Sequence, residues 1–391
     1  MYSSVGTPVF YIDNFLYLKT IGQESAVWEG VVDSSWLENE DVPNHTPSNA
    51  MDLFTLQPTV AKPLDYHEVN LGAGVDGRFA NIHSPIMNMT DYTLSDTMKG
   101  YCAILNSNAL FYAISLSGTS IAANQVADWL ISCNFEGVFN FDGSIATPNV
   151  DEYMSEAFFQ DNVGSNIFTF DVMPDADNMQ IQLLTNIGLA GFPYVGAIST
   201  GIQYTMPRTP ELDLQMQIEY DGIDTITTSG GKSLSNIKYT GTPKWTNFIQ
   251  GQQIQQTPFS NRNWNNQNTV SQRNGRRKWS LSFKHLNNYD LFMSNPANNQ
   301  DVESLDTSGM QSGDTNIDAG HTEFSYTIDS DDSFIAQVWN KTLGGGLPFM
   351  FQPDSNNSDE IYMCKFDQDT LSIKQSAFNV YDISVKITEV W

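Results

Sequence analysis

The residues best suited to do chemistry are four cations, Arg273, Arg276, Arg277 and Lys278, which place four of the chain's 18 basic residues within six positions. Arginine binds carboxylates through a rigid, bidentate fork. In a chain of formal net charge -27, with 45 acidic residues, two readings are open. The cluster is a socket for acidic loops of a neighbouring subunit, or it pairs internally with local Asp and Glu. Trp279 follows at once and opens a strand, so the cluster belongs where a polar loop enters a sheet.

Other constellations offer less. His45, His67, His83, His285 and His321 have no HExxH or HxH neighbours, and no GxSxG or CxxC motif occurs, so neither a hydrolase triad nor a zinc site has a footing. Gly72-Ala73-Gly74 and Gly344-Gly345-Gly346 lack the lysine of a phosphate loop and read as turns or helix ends. Asp314 to Gly320 resembles the start of a calcium loop. Its glycine is one place late, however, and Ser325 stands where a bidentate Glu is needed. Asp329-Ser330-Asp331-Asp332 reads as a cap on the helix that follows. Glycan cleavage needs two carboxyls held at a set separation, which carboxylates scattered through an acidic chain do not specify. We therefore expect no enzyme, no cofactor and no metal. Tyr112, Trp129 and Tyr153 are candidate stacking platforms for a glycan.

Composition narrows the partners. An acidic surface repels phosphate backbones and anionic membranes, so nucleic acid and membrane insertion are not expected. The opening MYSSVGTPVFYIDNF has no basic region ahead of an apolar core, and nowhere do about 18 uncharged apolar residues run together. Cys102, Cys133 and Cys364 lie far apart and read as free thiols of a protein made in a reducing cytoplasm.

The elements that must position these residues are mostly strands. Charged residues are 16% and aromatic residues 12%, a balance that favours sheets over helical bundles. Leu212 to Tyr220 alternates strictly and predicts a half-buried strand, which Asp221-Gly222 would turn into an antiparallel return over Ile223–Thr227. Period two recurs at Trp279, Leu281 and Phe283 and at Tyr381, Ile383, Val385 and Ile387. Short strands at Ile361–Phe366 and Leu371–Gln375 complete a C-terminal meander. Further strands are expected at 101–106, 109–116, 166–172, 179–185 and 195–204. Phe334, Ile335, Val338 and Trp339 fall at helical spacing, with Gly344 to close the helix. Ile121 to Cys133 is a second helical candidate. Residues 230–274 and 295–320 are polar enough to read as long loops or arms.

The runs RRKWSLSFKHL, VWNKTLGGGLPFMFQPD and YDISVKITEVW, together with the opening GTPVFYIDNFLYLKTIG, resemble virion proteins of tailed phages. The likeness is greatest to marine phages and cyanophages, in the proteins that build the distal tail or baseplate. YCAILNSNA and YVGAISTGIQY resemble the jelly-roll, discoidin-like modules that some phage structural proteins carry. The resemblance implies a mainly β chain, with an antiparallel β-sandwich or barrel domain, an inserted jelly-roll-like sandwich and a few short helices. An arm, 1–64, would pair with the C-terminal sheet; 65–207 would be the insertion and 208–391 the antiparallel β domain. The implied function is a ring subunit of the virion tail that links the tail tube to fibres or receptor-binding proteins. Copies of itself and neighbouring baseplate proteins would be its partners, and it would leave the host cytoplasm inside the particle. The alternative is a receptor-binding protein that recognises a host surface glycan through the middle module.

Overall fold

The computed structural model describes residues 6–22, 53–57, 62–64, 67–70, 76–85, 98–107, 111–117, 129–133, 138–139, 145–146, 164–170, 178–186, 194–211, 215–219, 223–237, 276–292, 332–357 and 361–390. Strand β1 (Val9–Asp13) runs into helix α1 (Asn14–Thr20). Then come β2 (Lys62–Pro63), β3 (His67–Asn70), β4 (Asp76–Pro85), β5 (Met98–Ser107), β6 (Phe111–Ser117), β7 (Trp129–Cys133), β8 (Val138–Phe139), β9 (Ile145–Ala146), β10 (Gly164–Phe170), β11 (Asn178–Asn186) and β12 (Tyr194–Thr205). The remainder supplies β13 (Gln215–Glu219), β14 (Ile223–Thr227), β15 (Ser233–Ile237), β16 (Arg276–Asn287), α2 (Asn288–Leu291), a π-helix (Ile335–Asn340), β17 (Phe349–Gln352), β18 (Tyr362–Phe366), β19 (Ile373–Ala377) and β20 (Val380–Glu389). Among the described residues the protein is mainly β, with a large antiparallel sheet and few helices.

That sheet has eleven strands in the order β10-β5-β12-β1-β17-β18-β20-β16-β13, with β19 on β20 and β2 on β12. It draws strands from all three expected segments, 1–64, 65–207 and 208–391. A five-stranded sheet, β3-β4-β11-β6-β7, stands beside it in the connectivity. β1 is central: Phe10 faces Tyr204 of β12 on one side and Phe351 of β17 on the other. All five β1 residues are buried. Gly201 makes this approach possible, because a Cβ there would strike the carbonyl oxygen of Ile12. On one face of β1, Phe10 meets the rings of Phe334 edge-on, Phe349 and Phe351 at a tilt, and Phe366 in a stacked arrangement, within the separations at which aromatic pairs attract.

The C-terminal alternation is realised in β16, which buries Trp279, Leu281 and Phe283, and in β20, which buries Ile383, Val385 and Ile387. A register shift between Phe283 and Leu286 then changes the parity, so Leu286 is buried too. His285 takes φ +60 in this bulge, and its amide donates to Asp382 Oδ1 at 3.1 Å.

Several expectations are corrected. The opening arm, expected to pair with the C-terminal sheet, does so among the described residues only through β1 and turns into helix α1 after Asp13. Asp13 Oδ1 accepts from the Leu16 amide at 2.9 Å, capping α1. β13 is not half-buried: all five of its residues are exposed. It pairs with β16, while β14 pairs with β15. The turn is therefore at Thr228–Lys232, with Gly231 at φ +76, and Ser233–Ile237 is strand, not the start of a long loop. Trp129–Cys133 is strand rather than helix, since it pairs along β6. The helix around Val338 is a π-helix. Just before it, Ser333 Oγ accepts from the Ala336 amide, while Asp332 is exposed. At its far end Gly344, at φ +62, donates to the Trp339 carbonyl.

Candidate functional site

Three of the four clustered cations begin β16; Arg273 lies outside the described residues. On the outward face of β16, Lys278 Nζ lies 2.7 Å from Glu219 Oε2 on β13 and 3.6 Å from Asp367 Oδ2 beyond β18. Its hydrogen bond to Glu219, aided by the nearby charge of Asp367, holds the ammonium above the ordinary lysine value. Both partners are solvent-exposed, so this is a charge-ordering contact rather than a strong source of stability.

Arg277 points to the opposite face. Its guanidinium carbon lies 4.5 Å from the centroid of the Tyr362 ring, and Nη1 donates to the Tyr362 hydroxyl. Its backbone amide donates to Glu389 Oε2 at 3.0 Å, and Glu389 is fully buried. Tyr362 packs on Trp279 with ring centroids 5.1 Å apart, so the cation is tied into the aromatic core. Arg277 and Lys278 thus make internal contacts with Glu219, Tyr362, Asp367 and Glu389. Glu219 was legible as the outward face of its strand. Tyr362, Asp367 and Glu389 come from distant β18, the residue after it and β20, and no local spacing singles them out.

This corner is also the sheet's edge. β13 has β16 on one side and no further strand among the described residues on the other. The register pairs Met216 with Trp279 and Ile218 with Arg277, so both apolar residues share the core-side face. They remain 48% and 62% exposed. The adjoining hairpin repeats the pattern: Ile226 opposes Leu234, and both are exposed.

The stacking candidates fall elsewhere. The register sets position 112 opposite Leu183, and position 129 opposite 116, which in turn faces 179. Positions 112 and 129 therefore share the sheet face that carries buried Ile181 and Leu183. Tyr153 lies outside the described residues, as do the calcium-like stretch from Asp314 to Ser325 and the acidic run Asp329 to Asp331. Cys102 and Cys364 are fully buried. Among the described residues no three His, Cys, Asp or Glu side chains gather as a metal site, and no helix is long and apolar enough to cross a membrane. Comparison with protein-family models, curated proteins and solved structures finds no match to this chain.

Proposed function

We propose that the chain is a structural subunit of a tailed-phage virion, a distal-tail or baseplate-type ring component that links the tail tube to fibres or receptor-binding proteins. The resemblance of its opening and C-terminal runs supports this reading, and one structural observation carries it. The edge strand β13 presents Met216 and Ile218 uncovered, at a corner where Arg276, Arg277 and Lys278 lie beside Glu219, Asp367 and Glu389. Three cations against three carboxylates make this corner close to neutral in a chain of net charge -27. A second copy, itself strongly acidic, meets least repulsion there, and an unpaired edge is a template for another strand. The ring contact in this reading is therefore β13 of one subunit against another copy. The five-stranded sheet would form one layer of a jelly-roll-like sandwich inserted into the β domain.

The test is light scattering and electron microscopy of the full chain against the double variant Met216→Glu, Ile218→Glu. A ring for the wild type and a folded, unassembled variant are expected. A wild type that stays monomeric at every concentration, or a particle map that places the chain outside the tail, would overturn the reading.

A further inference from the structure

The face of β1 opposite the aromatic cluster holds polar groups in the interior. Asp13 is 3% exposed. Its Oδ1 caps α1 through the Leu16 amide, while Oδ2 is buried without a hydrogen-bond partner. The titratable and charged groups around it come from each packed element. From β1, Tyr11 donates its hydroxyl to Gln352 Oε1 of β17 at 2.9 Å. From β5 come Tyr101 and Cys102, both fully buried. From β12, Ser199 Oγ lies 2.8 Å from the Tyr101 hydroxyl. After the π-helix, the buried Lys341 ammonium donates to Asn14 Oδ1 at 3.2 Å. A carboxylate with one bare oxygen in such a place is disfavoured against the neutral acid.

We propose that the junction of β1 with α1 is a proton-gated latch: neutral Asp13 seals the opening segment into the middle of the large sheet, and ionised Asp13 loosens it. In the neutral state Oδ1 still accepts from Leu16, so the cap survives, and Oδ2 carries the proton without giving up a hydrogen bond. In the ionised state a bare charge is left between β1, β5 and β12. Burial pushes the carboxyl up to about 7, against the opposing pull of the Leu16 amide, the Ser199 hydroxyl and the Phe15 amide. The same burial raises the Tyr101 hydroxyl and the Cys102 thiol, and the Asp13 charge adds to both shifts.

The sign follows from linkage. An unfolded aspartate releases its proton near 3.8, the folded one near 7. The contribution of neutral Asp13 is complete below about pH 4, falls as pH rises between the two values, and is lost above about 7. Over that window the unfolding constant of the wild type should rise about a thousandfold relative to Asp13→Asn, which keeps the shape and the cap but cannot ionise. Comparison with that variant also removes the titration of the five histidines.

The experiment is denaturant unfolding of the full chain at a series of pH values for both proteins. It is paired with carbon-13 NMR of labelled aspartate, which reads the Asp13 titration in the wild type without any variant. Amide exchange at Leu16 provides a local readout. We expect a titration near neutrality, faster Leu16 exchange above it, and a flattened stability profile for Asp13→Asn. An Asp13 that titrates in the ordinary carboxylate range would overturn the proposal. So would a variant whose pH profile matches the wild type.

Discussion

β1 and β13 are five-residue strands of one sheet, each carrying apolar side chains and ending in an acid, VFYID against QMQIE. Every residue of the first is buried and every residue of the second is exposed. Sequence alternation states which side of a strand is apolar; it does not state whether anything covers that side. β1 has a strand on each flank and the π-helix and aromatic rings above it. β13 has one neighbouring strand among the described residues. The acids differ accordingly: Glu219 meets Lys278 in water, whereas Asp13 is enclosed.

The contrast is broken most severely at Phe10. Replacing it with Ala removes a ring that contacts four others and leaves a cavity at the centre of the sheet, so a loss of about 3–5 kcal/mol is expected. Denaturant unfolding would measure it. A loss below about 1 kcal/mol would mean that β1 does not organise the core.

Next comes Gly201→Ala. The added methyl would meet the Ile12 carbonyl, which must move for β1 and β12 to stay paired. Overpacking of this kind typically lowers stability by about 1–3 kcal/mol. Amide exchange in β1 and β12 should rise with it, and unchanged protection there would show that the strands have room to separate.

Much of β1's neighbourhood was legible in the sequence and much was not. Trp279, Leu281 and Phe283 could be assigned inward because period two survives along most of β16. The switch at His285 could not, since a bulge changes parity without altering the pattern before it. α1 was missed because Leu16 and Leu18 repeat the spacing of Phe10 and Ile12; Asp13 was the available signal, an N-cap residue three positions before Leu16. Asp221-Gly222 drew attention from the Thr228–Lys232 turn, where Gly231 supplies the positive φ. At the candidate site the cations were visible as a run. Their partners on β18 and β20 were not, because tertiary pairing brings them together. The enclosure of Asp13 is also a tertiary fact: four apolar neighbours in sequence hint at it, but only flanking strands produce it.

Arg277→Leu gives a third, intermediate effect. It removes the cation from the Tyr362 ring and the donor from its hydroxyl, while the backbone amide still reaches Glu389. About 1–2 kcal/mol should be lost. Lys278→Met should change stability by no more than about 1 kcal/mol, as expected of an exposed ion pair. Equal effects of the two variants in thermal or denaturant melts would argue against the core connection of Arg277.

The smallest effect on stability is expected where the effect on assembly is greatest. In Met216→Glu with Ile218→Glu, both side chains already stand about half or more in solvent, so the isolated chain loses little buried area and should keep its stability within about 0.5 kcal/mol. The added carboxylates make a near-neutral edge acidic, and like charges facing each other across an interface oppose association. If β13 is a contact between copies, self-association should therefore collapse while the melting profile stays in place. Raising the salt to about 1 M, where screening shortens to roughly 3 Å, should restore part of the association, because charge repulsion is relieved even though the apolar contact is gone. A variant that assembles like the wild type would make β13 a solvent-facing edge. A variant that instead melts early would mean that Met216 and Ile218 are covered within the subunit, and the contrast with β1 would fall.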